Sequence, residues 1–229
     1  MVEVEGLWKS YGRMTALKGI TFTARAGRVV GVLGENGSGK STLFKILAGV
    51  TPASRGEARI QGRAIGIETR RDTAYLPEID PFYGWMRIGE QLEFLAPFYP
   101  GWDMAKSREL LSFMGLTEDR KIGQLSHGQR ARLKTVAAFS RPSHVVLMDE
   151  PLGGIDPPSR RRIISSLVSE FRVGEQTILI STHLVDEVEG IIDEVVFLRQ
   201  GEVALEGNAD ELRSERGKSL SGLFEEVVE

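Results

Sequence analysis

The sequence predicts an α/β domain: a mostly parallel sheet with helices on its faces, an antiparallel β unit beside it, and an inserted helical unit. Three observations carry this. Apolar strand-like runs alternate with amphipathic helical runs over residues 29–48 and again from 143 onward, the order expected of parallel strands joined by helices. Residues 1–30 and 56–76 instead hold short apolar runs broken by glycine turns. Between these regions, residues 84–140 take a helical period. We therefore expect a single domain over 1–229. Its antiparallel β unit is 1–30 plus 56–76, its α/β core 30–55 plus 141–210, its helical unit 84–140, and its tail 211–229.

The elements follow in order. Val2, Val4 and Ile20-Thr21-Phe22-Thr23 read as antiparallel strands, with turns at Tyr11-Gly12 and Arg25-Ala26-Gly27. Val29-Val30-Gly31-Val32-Leu33 is a buried strand, and Thr42 to Ala48 a helix stopped by Gly49 and Pro52. Between them, Gly34-Glu35-Asn36-Gly37-Ser38-Gly39-Lys40-Ser41-Thr42 fills G-x-x-x-x-G-K-[S/T], the phosphate-binding P-loop. Glycines let the backbone curl so that N–H groups point at phosphate oxygens, and the helix N-terminus adds partial positive charge. In such a loop Lys40 reaches the β- and γ-phosphates and the Ser41 hydroxyl ligates Mg²⁺.

Ile88 to Phe94, Ser107 to Met114 and Arg130 to about Phe139 read as helices. Leu125-Ser126-His127-Gly128-Gln129 precedes the last, and Ser126 with Gln129 has capping-box spacing. Val145-Val146-Leu147-Met148 is a buried strand ending in Asp149 and Glu150. Beside a P-loop, an acid at such a strand tip holds Mg²⁺, which suits Asp149, and Glu150 is placed to deprotonate an attacking water. A helix over Ile163 to Phe171 comes next, then a strand over Thr177 to Ile180 and a helix from about Leu184. Strands at 195–198 and 203–205 flank a Gln200-Gly201 turn.

Composition narrows the function. A hydrophobic content of 41% with 27% charged residues is that of an ordinary globular chain. The net charge of −3, with acids and bases interspersed, gives no support to a nucleic-acid-binding surface. Absence of cysteine excludes disulfides and thiolate metal sites. No apolar stretch approaches the roughly 20 residues that span a bilayer. The Met-Val-Glu-Val-Glu start lacks the form of a signal peptide. A membrane role would require another chain to supply the span.

The ordered set of P-loop, Leu-Ser-His-Gly-Gln and Asp149-Glu150 resembles the ATP-binding subunits of ABC transporters, whose signature reads LSGGQ; the resemblance covers essentially the whole chain. It implies a P-loop, RecA-like core, ATP and Mg²⁺ as ligand and cofactor, and hydrolysis to ADP and phosphate. It also implies a head-to-tail dimer, homo- or heteromeric, in which Ser126, Gly128 and Gln129 meet the γ-phosphate bound by the other chain. Tyr11 matches the aromatic that stacks on adenine, and His183 the switch histidine near the γ-phosphate. Pro151 to Asp156 matches a loop crossing the dimer interface, although Asp156 before Pro157 equally reads as a helix cap. The implied partner is an integral membrane permease, with this chain cytoplasmic and peripheral on the inner face of the cell membrane. The branch resembled has separate membrane chains and export substrates. The rival is a soluble ABC ATPase acting on a ribosomal, nucleic-acid or assembly partner.

Three departures stand out. Glu78 occupies the family's usual glutamine position, and a carboxylate there can ligate Mg²⁺ or point at solvent. His127 replaces a signature glycine. Gly153-Gly154 stands where a small hydroxyl or alanine is commoner, giving a more flexible loop. Seven of the seventeen aromatics fall within 82–102, so they form either the core of the helical unit or an exposed groove at Phe82, Tyr83 and Trp85 for the membrane partner.

Overall fold

A computed structural model describes residues 1–228; the last position of the expected tail, residue 229, lies outside the described residues. The chain opens with β1 (Val2–Tyr11) and β2 (Met14–Ala24), then β3 (Val29–Leu33), α1 (Lys40–Leu47), β4 (Arg55–Ile60), β5 (Arg63–Ala64), α2 (Ile67–Arg71) and β6 (Thr73–Leu76). The helices α3 (Ile88–Leu95), α4 (Met104–Met114) and α5 (His127–Phe139) follow. The second half is β7 (Val145–Asp149), α6 (Pro157–Glu170), β8 (Thr177–Thr182), α7 (Val185–Val188), β9 (Glu194–Arg199), β10 (Glu202–Asn208), α8 (Ala209–Arg216) and α9 (Leu220–Val228).

Two sheets form. The larger has the order β10-β9-β3-β8-β7-β6, parallel throughout except for the antiparallel β10–β9 hairpin. The smaller is antiparallel, β2-β1-β4-β5. Side chains alternate across the large sheet because a strand repeats every two residues. Val30, Val32, Leu147 and Leu179 face the small sheet and α1 in one apolar cluster. Leu33, Met148, Ile178 and Phe197 face the opposite way, onto a second cluster with the helical unit, α6 and α9. Both faces are covered, which is why β3, β7 and β8 are mostly apolar and are buried end to end.

Residues 67–76 depart from the expected antiparallel unit. Ile67–Arg71 is a short helix, begun where the Gly66 amide donates to Thr69 Oγ1 at 2.9 Å. Thr73–Leu76 then joins the large sheet as an edge strand, parallel to Val145–Met148. A four-residue apolar run carries no information about which sheet it will join, because that choice is made by distant partners. Two helices also begin earlier than their periodicity suggested. Ser126 caps α5, so Gly128 and Gln129 lie in its first turn, and Asp156 caps α6.

Candidate active site

The site is built at the C-terminal ends of β3, β7 and β8, where a parallel sheet presents its loops. Gly37 and Gly39 hold φ of 85° and 107°, a region hostile to side chains, and this curls the loop onto the start of α1. Gly34 is required for a second reason: a Cβ there would come within 2.5 Å of Leu198 O and Ser38 Oγ. Lys40 is 5% exposed and turns back into the loop. Its Nζ donates to Gly34 O at 2.7 Å and Glu35 O at 3.0 Å.

The β7–β8 register sets Asp149 opposite Ser181. Asp149 Oδ1 accepts from Ser41 Oγ at 3.0 Å and from Ser181 Oγ at 2.7 Å, while Tyr75 Oη donates to Oδ2 at 3.4 Å. Burial pushes the Tyr75 phenol up, and the adjacent Asp149 carboxylate raises it further, so Tyr75 stays a donor. Glu150 adopts φ 47°, and its amide donates to both Ser181 O (3.0 Å) and Ser181 Oγ (3.1 Å). This clamp turns a 9%-exposed carboxylate back toward the P-loop: Glu150 Oε1 lies 3.3 Å from Lys40 Nζ, and Oε2 lies 3.1 Å from His183 Nδ1. The Lys40 approach is Coulombic, without hydrogen-bond alignment at Oε1.

Above Lys40 opens a cleft of about 510 Å³, lined by Asn36, Gly37 and Gly39–Thr42, with Met14–Ala16, Glu78, Glu150 and Gln200 around it. Glu78 is exposed within it. Tyr11 is not brought to this lining; it is 43% exposed, with Lys9 Nζ 4.9 Å from its ring centroid. Met14–Ala16 of the same hairpin do reach the cleft. Sequence reasoning also gave no role to Tyr75 or Ser181. The hard-oxygen donors at the cleft, the Ser41 hydroxyl with the Asp149 and Glu78 carboxylates, suit Mg²⁺, which prefers such ligands together with substrate phosphates.

The segment Ser126–Gln129 lies apart from that cleft. Ser126 Oγ accepts from Gln129 N at 3.2 Å, and Gln129 Oε1 accepts from Ser126 N at 2.9 Å, a reciprocal cap. Ser126 and His127 are exposed. Gly128 packs so closely on Asp156 and Ser159 that a Cβ would collide with both. Asp156 itself accepts from Ser159 N at 3.0 Å and Ser159 Oγ at 2.8 Å, which gives it the capping role and holds its carboxyl below the usual range. Farther along α5, the buried Lys134 Nζ donates to Pro77 O (2.7 Å) and Glu78 O (3.1 Å), and burial lowers its pKa.

The aromatics divide between the two expectations. Trp102 and Phe82 pack against the core, whereas Trp85 is 71% exposed. Tyr83 lies 5.7 Å from Trp85 and 5.8 Å from Phe94, which is 5.4 Å from Phe98, so four rings form an exposed strip. Beside it, Phe82, Leu95 and Tyr99 line a groove of about 390 Å³ under β6 and α5.

With this geometry in view, comparison with known proteins is direct. Residues 17–153 match the model of the family described as "ABC transporter". The linearmycin resistance ATP-binding protein of Bacillus subtilis (strain 168) is 32% identical over 225 residues, covering 95% of this chain and 72% of that one. A Nod factor export ATP-binding protein of Ralstonia nicotianae is 32% identical over 221 residues, covering 93% and 68%. Among solved structures, an ATP-binding subunit of an ABC transporter superposes with a TM-score of 0.87 at 30% identity, covering 99% of each chain. A dimeric post-hydrolysis ATP-binding cassette bound to ADP and phosphate, at 24% identity and TM-score 0.80 with 91% of this chain and 98% of that one covered, shares the fold.

Proposed function

The chain belongs to the ABC transporter family as an ATP-binding, ATP-hydrolysing subunit, and on that premise we propose which residues do the work and what they drive. The observation that carries the reading is the convergence of Lys40, Ser41, Asp149, Glu150 and His183 from three separate segments onto one site. The P-loop amides and Lys40 hold the β- and γ-phosphates. Glu150 Oε2 accepts a proton from water as its oxygen attacks the γ-phosphorus, the bond to the β-phosphate oxygen breaks, and ADP and phosphate result. His183 keeps the carboxylate aimed. Mg²⁺, held by Ser41 and Asp149 with Glu78 nearby, supplies neutralisation of phosphate charge when bound.

Ser126, Gly128 and Gln129 do not reach this cleft, so we assign them to the γ-phosphate bound by a second ATPase subunit packed head to tail. Part of each nucleotide's shell then exists only in the dimer, so ATP binding and closure favour each other. Among the described residues no helix is long and apolar enough to cross a membrane, so we place the cargo path on a separate integral membrane chain. The strip at Trp85 is the proposed seat for a cytoplasmic helix of that chain, because exposed aromatic clusters mark partner sites. By likeness to the linearmycin resistance and Nod factor export proteins, the direction is outward and the site of action is the cytoplasmic face of the membrane.

Two variants test this. Glu150→Gln removes the base, and phosphate release should fall on the order of 10²–10⁴-fold while an ATP-bound dimer accumulates on size exclusion. Near-wild-type release would take Glu150 out of the role. Trp85→Ala should release a copurifying polytopic membrane protein yet leave basal hydrolysis intact; an unchanged complex would refute the docking assignment.

A further inference from the structure

Two of the departures from the family pattern meet in space. His127 Nε2 lies 3.1 Å from Gly153 O. A carbonyl oxygen only accepts, so Nε2 carries the hydrogen. The amide of Gly153 in turn donates to Glu150 O at 3.3 Å. Two hydrogen bonds thus connect the His127 imidazole to the backbone of the carboxylate that faces the cleft. Over Pro151–Gly154, this is the one side-chain hydrogen bond among the described residues.

The turn needs such a bond. Paired glycines lose more conformational freedom on being fixed than any other pair, and Gly154 is held at φ 63°. Leu152, fully buried, anchors one side. Ser181 holds the Glu150 amide from below. Among the described residues, His127 is the side chain that holds the outer carbonyl.

We propose that His127 is a positioning residue for Glu150 on its own chain: it pins the Pro151–Gly154 turn and so limits the orientations of the Glu150 backbone. This rests on Glu150 being the base. A side chain in the segment facing the partner's nucleotide thereby also steadies the chain's own hydrolytic carboxylate.

The test uses the full chain in three forms: wild type, His127→Ala and His127→Gln, which keeps an amide donor. Amide hydrogen exchange across residues 150–154 is followed without nucleotide, where no partner contact through ATP contributes, and steady-state hydrolysis is measured alongside. Loss of one modest, solvent-exposed hydrogen bond should quicken exchange about 2- to 10-fold in His127→Ala. It should lower kcat by a similar factor and leave KM for ATP within about twofold. His127→Gln should recover both. Unchanged exchange in His127→Ala overturns the proposal; if kcat nevertheless falls, His127 acts on the partner's nucleotide instead. Failure of Gln to restore the Ala defect overturns it equally. Glu150→Gln in the same assay separates the premise: near-normal turnover there dismisses Glu150 as base, while the exchange result still reports on the latch.

Discussion

Ser181→Ala removes one hydroxyl from the centre of the site. Ser181 is fully buried, and its Oγ both donates to Asp149 Oδ1 at 2.7 Å and accepts from the Glu150 amide at 3.1 Å. The amide is doubly served, since Ser181 O also accepts it at 3.0 Å, and the backbone bond survives the substitution. The loss therefore falls on Asp149, a buried carboxylate left with Ser41 at 3.0 Å and a long contact from Tyr75. A hydrogen bond to a charged group contributes about 1.5–3 kcal/mol. For a chain of this length, 1 kcal/mol moves Tm by about 2–4 °C, so the variant should melt about 3–12 °C lower. Differential scanning calorimetry at neutral pH reads this directly, with Ser181→Thr as the control that retains the hydroxyl. A Tm within a degree of wild type would show that Ser181 is not what satisfies Asp149.

Two further outcomes follow. The Asp156 carboxyl lies below its ordinary pKa because Ser159 donates to it, so its contribution to stability is complete above the unfolded value of about 3.9 and is lost as pH falls through the lower folded one. Asp156→Asn keeps a capping oxygen without the charge, so wild type should lose more Tm than the variant between pH 6 and pH 2; parallel curves would deny the carboxylate that role. Glu78→Gln should raise the Mg²⁺ concentration for half-maximal hydrolysis by about 10-fold if the exposed carboxylate supports the metal, and an unchanged Mg²⁺ profile would leave Glu78 to solvent.

What could be read from the sequence was whatever depends on neighbouring residues. The glycines at 34, 37 and 39, the lysine after them and the acids ending an apolar strand announce their chemistry through local spacing. The Ser126–Gln129 cap is local too, and its reciprocal bonds are present. What could not be read depends on register between distant strands. Ser181 matters because β8 pairs with β7 so that Ser181 stands beside Asp149, and a slip of one residue would turn it to the other face. Tyr75 reaches Asp149 only because Thr73–Leu76 joins the parallel sheet. The bond between His127 and Gly153 spans 26 positions, and neither residue hints at the other. Tyr11 stands beside a turn, which was legible, whereas the packing of Lys9 over its ring was not.

Lys134 has a mechanical consequence. Its ammonium grips the carbonyls of Pro77 and Glu78, and it rides on the same helix whose first turn contains Gly128 and Gln129. From Ser126 to Lys134 is eight residues, about 12 Å along the axis. Among the described residues that span holds no proline, and its one glycine sits in the first turn, so it behaves as a strut without a joint. A load placed on the exposed end at Ser126 is delivered to the backbone of Glu78 and the rim of the aromatic groove in one rigid step. Arg130 of the same helix adds a second hold on that segment, its Nη1 donating to Asp80 Oδ2 at 2.8 Å.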